Sequence, residues 1–189
     1  MLTYIAVLIC FVSSWAVIIA VLWDFVRFYS RHSNKEKKSF IATWSMFLFF
    51  FLYLAVIVNK IGYIKIEYSF REILSFIGSM LVLLGAYVNI KGRIDLGRQW
   101  ADQIKIYDDH KLITDGVYKY VRHPLYASLI WMFFGGALVF TNWLAFLLNC
   151  FIFIPMMYLR AKQEEALLEK TFPEYGDYKK RVKMFGFLV

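Results

Sequence analysis

Long apolar stretches alternate with short charged ones along the whole chain. Residues 2–23, 40–58 and 73–90 are apolar with no charge inside, and a helix crossing the hydrocarbon core needs about 20 such residues. Each therefore predicts a membrane span. Two further runs, 125–140 and 143–159, are shorter and are parted only by Thr141 and Asn142, which predicts a tight helical hairpin. Pro124 falls where the first turn of the fourth helix begins. Pro155 lies inside the fifth and should kink it or free a carbonyl near its inner end. The expected architecture is an all-α integral membrane bundle of five transmembrane helices, with residues 1–189 as one domain.

The polar residues between these runs set a direction. Five basic residues (Arg27, Arg31, Lys35, Lys37 and Lys38) follow the first span and three (Lys60, Lys65 and Arg71) follow the second. Seven lie in the connector 91–124 and seven in the tail from Arg160 onward. Five crossings place the first loop, the connector and the tail on one side, so 19 of the 22 basic residues gather there. The positive-inside rule makes that side cytoplasmic and the N-terminus external. The charged stretch 30–39 reads as a linker.

Composition agrees. Sixty per cent of the residues are hydrophobic and mean hydropathy is +0.54, well above a soluble domain. A net charge of +8 points to anionic headgroups here, because the basic residues flank apolar runs, and not to nucleic acid. Cys10 and Cys150 both sit inside apolar runs, so neither a disulfide framework nor a metal site is expected. The first apolar run lacks a basic lead and a small-residue cleavage site, which argues against a removable signal peptide.

Chemistry concentrates in the connector and tail. Arg160 and Glu164 stand one turn apart on a helix that continues the last span. An exposed pair of this kind contributes little, whereas ionisable groups at the mouth of a bundle mark a substrate path. In Arg122-His123-Pro124-Leu125-Tyr126, a snorkelling arginine, a helix-opening proline and an interfacial tyrosine account for every residue except His123. Phe172, Tyr175, Tyr178, Val182 and Phe185 recur at helical spacing among Lys179, Lys180, Arg181 and Lys183, which predicts an interfacial amphipathic helix serving as an anchor or lid packed against the bundle.

Leu96-Gly97-Arg98, then Gly116 through Arg122-His123-Pro124-Leu125-Tyr126, then Arg160 with Glu164-Glu165, then Phe172 through Tyr178 resemble the isoprenylcysteine carboxyl methyltransferase family. The resemblance runs from about Leu96 to the end, and the first two spans carry no signature. It implies an S-adenosylmethionine-dependent enzyme, with S-adenosylhomocysteine as product, whose cofactor is held by the connector and tail, residues 91–189 forming the catalytic half. Gln103, His110, Lys111, Leu112, Ile113, Tyr118, His123, Pro124, Leu125, Tyr126 and Glu164 are then the expected cofactor site. Arg160 is the group expected to meet the acceptor, with Glu165 beside it as catalytic. The implied acceptor is the carboxylate of a prenylated cysteine or similar lipidic acid in the bilayer, met by a monomer that needs no metal.

Three other readings compete. Phospholipid N-methyltransferases share the paired-glutamate theme, but an amine acceptor must lose a proton to a base. Membrane sterol and steroid reductases share a His-Pro and Glu-rich C-terminal half, and Arg93 with Arg98 would serve the 2′-phosphate of NADPH. A non-enzymatic scaffold would use the basic face only to bind anionic lipid.

Overall fold

A computed structural model describes residues 2–28, 35–37, 40–99, 104–106 and 111–186, with side chains described at 2–27, 44–99 and 111–186. Among the described residues there are six α-helices: α1 (Leu2–Phe28), α2 (Phe40–Val58), α3 (Tyr68–Leu96), α4 (Pro124–Val139), α5 (Trp143–Thr171, with a π-turn inside) and α6 (Tyr175–Arg181). Three of them, α1, α3 and α5, are long and apolar enough to cross a membrane, and α2 and α4 are shorter apolar helices. The chain is a multi-pass membrane protein.

Short elements join the helices on the connector side. The three-residue strands Lys35–Lys37 and Ile104–Ile106 pair antiparallel, so part of the expected linker is tied by backbone hydrogen bonds to the connector. The fold is otherwise helical among the described residues. A 3-10 turn, Gly116–Lys119, precedes α4.

α1 and α3 run parallel and in register. Glu72 accepts hydrogen bonds from the backbone N–H and the Oγ1 of Thr3 at one end, and Arg93 pairs with Asp24 at the other; each tie spans 69 positions. Glu72 thereby caps backbone donors that begin α1. α3 and α4 run antiparallel through small residues. A Cβ on Gly78 would lie 2.5 Å from the Gly135 carbonyl oxygen, and one on Gly135 would lie 2.5 Å from that of Gly78. Ser75, Gly78, Val82, Gly85, Asn89 and Gly92 are all buried, a stripe at spacings of three and four that lets two backbones touch. In lipid such close packing replaces the hydrophobic drive that holds soluble helices together.

α2 joins α4 and α5 through aromatic rings. Phe153 lies 4.7 Å from both Phe49 and Phe133, centroid to centroid, and the Tyr53 hydroxyl donates to the Phe133 carbonyl at 2.6 Å. At the end opposite the connector, the α2–α3 and α4–α5 turns lock together. The Asn142 amide donates to Ile61 O at 2.9 Å, and its Oδ1 accepts from Ala145 N, capping α5. The expected hairpin at Thr141 and Asn142 is therefore present. Pro155 is accommodated by a π-turn, Asn149–Phe153, in which Ile154 N bonds Asn149 O; widening the helix absorbs the missing donor.

The amphipathic tail departs from expectation. Helix α6 stops at Arg181, and Val182 is extended. Arg122 N and His123 N donate to Lys183 O and Met184 O, so backbone pairing replaces the helical turn that would have carried Val182 and Phe185. Tyr175, Tyr178 and Phe185 are nonetheless buried against the bundle, as expected of a packed lid.

Candidate active site

The C-terminal ends of α1, α3 and α5 and the N-terminal ends of α2 and α4 meet on the connector side. Proline disfavours helix at the residue before it, so α4 begins at Pro124 with His123 as its N-cap. His123 N therefore remains available to the tail and bonds Met184 O at 3.1 Å. The tail clamps this turn from three directions. Tyr178 Oη donates to Tyr118 O at 2.6 Å. The Arg122 guanidinium donates to Lys179 O at 3.1 Å and to Val182 O. Gly116, at φ +60, leaves room for the Asp95 carboxylate, which accepts from Val117 N at 2.9 Å.

Two glutamates face this turn from α5. Glu165 is 1% exposed. Its Oε1 accepts from Arg122 Nε at 2.9 Å and lies 3.2 Å from His123 Nε2, while Lys179 Nζ stands 3.3 Å from Oε2. Glu164 is more open, its side chain 35% exposed, with Oε2 3.6 Å from His123 Nδ1, an ion-pair distance beyond hydrogen bonding. Tyr126 Oη donates to the same Oε2 at 2.9 Å, and Arg160 Nε donates to Tyr126 Oη at 3.2 Å. The Tyr126 ring stacks on His123, centroids 5.5 Å apart and 8° from parallel.

Electrostatics fixes protonation here. Burial opposes the imidazolium of His123, but Glu164 and Glu165 outweigh it and hold the ring above its ordinary range. Burial, and then the charge of Glu164, push the Tyr118 phenol well up. The Glu169 hydrogen bond, and behind it Glu165, raise Lys179 despite burial.

The sequence-predicted residues divide into groups. Tyr118, His123, Tyr126, Arg160, Glu164 and Glu165 gather in one network, whereas the side chains of Pro124 and Leu125 face Gly92 of α3. Lys111 is exposed and Leu112 and Ile113 are half-buried in the segment leading to the 3-10 turn; Gln103 and His110 lie outside the described residues. Sequence reasoning missed Asp95, the clamping role of Tyr178 and Lys179, and the Asp24–Arg93 pair. Only Asp95, four residues after Lys91 and bonded to it, left a local signal.

Residues 77–170 match the model of the isoprenylcysteine carboxyl methyltransferase family. The chain belongs to this family. It is 30% identical over 114 residues to the protein-S-isoprenylcysteine O-methyltransferase of Saccharomyces cerevisiae, covering 59% of this chain and 48% of that one. It is 31% identical over 102 residues to that of Schizosaccharomyces pombe, covering 52% and 43%. A probable protein-S-isoprenylcysteine O-methyltransferase of Oryza sativa subsp. indica is 30% identical over 119 residues, 61% of each chain. The chain thus spans about half the length of the yeast relatives it matches. Both glutamates and the Arg122-to-Tyr126 turn fall inside the family match.

Proposed function

We propose that the protein transfers a methyl group from S-adenosylmethionine to the carboxylate of a membrane-embedded lipidic acid such as a prenylated cysteine. Residues 1–90 serve as scaffold, residues 91–189 as the cofactor-binding half, and the protein acts as a five-span monomer with its site on the cytoplasmic face. The observation that carries the reading is the convergence of His123, Tyr126, Arg160 and Glu164 at the mouth of the bundle, linked by Tyr126 to Glu164 at 2.9 Å.

The residues present fit the donor. Glu164 uses only Oε2 among the described residues, and its partly open carboxylate leaves Oε1 for an amino or hydroxyl group. Tyr118 and Tyr126 supply neutral aromatic surfaces beside it, and the His123 ring stacks on Tyr126. S-adenosylmethionine supplies, when bound, a methyl on positive sulfur; an ester forms as that C–S bond breaks, its electron pair returns to sulfur, and no proton moves.

The chain's own task is alignment and exclusion of water. Arg160, whose Nε donates to Tyr126 Oη and whose Nη1 donates to Met46 Sδ, carries a guanidinium of the kind that orients an anionic carboxylate. Met46, which Arg160 touches, packs against the apolar core of Phe49, Phe153 and Met157, between whose helices a lipid tail would arrive. We assign Glu165 a positioning role, because it is enclosed by Arg122, His123 and Lys179. The competing readings fare worse. Both nitrogens of His123 face carboxylates, so none is left to take a proton from an amine. Arg93 already pairs with Asp24 at 2.9 Å and bonds Asn89.

Calorimetry in detergent tests the donor site. Glu164→Ala should abolish S-adenosylmethionine binding that the wild-type protein shows. Unchanged affinity would remove Glu164 from the site, and no binding by the wild type would defeat the proposal.

A further inference from the structure

A chain of buried polar groups runs from the first helix to the turn that carries His123 and Tyr126. Asp24 on α1 is 8% exposed and its Oδ2 accepts from Arg93 Nη1 of α3 at 2.9 Å. Arg93 Nε donates to Asn89 Oδ1 at 2.9 Å. The Asn89 Nδ2 donates to Ser128 Oγ at 2.8 Å and points to Leu125 O at 3.4 Å, and Ser128 Oγ donates to the same carbonyl at 2.8 Å. Asn89 and Ser128 have no exposed surface. Leu125 lies between the two site residues, one position from Tyr126 and two from His123.

The location of this chain argues against simple packing. Asp24 follows Thr3, and Arg93 follows Glu72, by the same 21 positions, since both ties span 69. At 1.5 Å per residue that is roughly 32 Å, close to the hydrocarbon thickness of about 30 Å. The ion pair therefore sits at the membrane boundary on the side of the site. Two desolvated charges hold helices together no better than apolar side chains of similar size, and small residues would serve in lipid.

What charges add is direction. Arginine is only a donor, so Arg93 Nε fixes Asn89 with its oxygen toward α3 and its NH2 toward α4. Were the Asn89 amide free to flip, its oxygen would meet the Leu125 carbonyl, acceptor against acceptor. Asp24 holds the guanidinium that prevents this. Gly92 lets the elements approach, for a Cβ there would lie 3.1 Å from Leu125 Cδ2.

We propose that Asp24, acting through Arg93 and Asn89, is a positioning residue: the first helix, outside the family match, sets the opening turn of α4 and thereby the site. The consequence for donor binding rests on the methyltransferase reading, but the consequence for the turn does not.

The test uses the full chain in detergent, with Asp24→Ala, Asp24→Glu and the double change Asp24→Leu with Arg93→Met, which removes both members of the ion pair. Three quantities are read: melting temperature, S-adenosylmethionine Kd, and hydrogen exchange of backbone amides 125–128 without ligand. Asp24→Ala should weaken donor binding about five-fold or more while leaving acceptor KM within about two-fold, and Asp24→Glu should restore most of it. The double variant should melt near the wild type yet exchange amides 125–128 about ten-fold faster. Wild-type exchange in the double variant would overturn the proposal whether or not the donor binds, and so would wild-type donor affinity. If Asp24→Ala fails to fold, the double variant decides. Failure of the wild type to bind donor at all overturns the methyltransferase reading and leaves the exchange result to judge Asp24.

Discussion

His123 is the residue on which both glutamates converge, and its environment predicts a pH dependence. Its folded-state pKa lies above the usual 6.5, so the stability it contributes is complete below about pH 6.5 and is lost as pH rises through the higher folded value. Melting temperatures measured in detergent between about pH 6.5 and 8.5 should fall more steeply for the wild type than for His123→Asn; parallel slopes would contradict the assignment. Arg160 gives a second outcome. Its removal by Arg160→Ala should leave donor affinity near normal while lowering turnover about ten-fold or more, the loss of a charged hydrogen bond of roughly 1.5–3 kcal/mol. Normal turnover on a prenylated cysteine substrate would rule out its contact with the acceptor. The legible part at this scale was the set of residue types around Arg122-His123-Pro124-Leu125-Tyr126 and Glu164. Their division of labour was not legible, because nothing in two adjacent glutamates says that one is enclosed by Arg122 and Lys179 and the other left partly open.

At the scale of elements, the periodic apolar runs reported helices well and the tail poorly. The run 172–185 has helical spacing, yet the chain leaves the helix at Val182 because Arg122 N and His123 N need acceptors that Lys183 O and Met184 O provide. That competition is tertiary and invisible in periodicity. Tyr178→Phe should test the clamp: losing the 2.6 Å bond to Tyr118 O should cost about 1 kcal/mol of stability and weaken donor binding more than acceptor binding. Equal effects on both would mean the tail merely packs. The α3–α4 contact is a second case. A Cβ at Gly135 meets the Gly78 carbonyl oxygen and Val82, backbone that moves only with the helix, so Gly135→Ala should destabilise by about 1–3 kcal/mol. A melting temperature equal to the wild type would show that the helices can part without cost.

For the whole molecule, the arrangement of ends is what creates a site. The two turns at the far end are joined through Asn142, Ile61 and Gly62, while the other end collects the polar residues of α1, α3, α4 and α5. If the basic side is cytoplasmic, a cysteine placed at exposed Lys180 in a cysteine-free background should resist membrane-impermeant maleimide in intact cells, and one at Lys60 should react. The reverse pattern would invert the proposed orientation.

Sequence alone determined that the protein lives in a membrane, where its helices run, and which family it joins, because apolar length and local motifs are properties of consecutive residues. It also determined the gathering of basic residues between alternate helices. Only the tertiary structure decided that Asp24 reaches the site through Arg93, that α6 ends at Arg181, and that Glu164 stays partly open while Glu165 is sealed. Those outcomes depend on which polar groups, distant along the chain, find one another once lipid leaves them no water to bond instead.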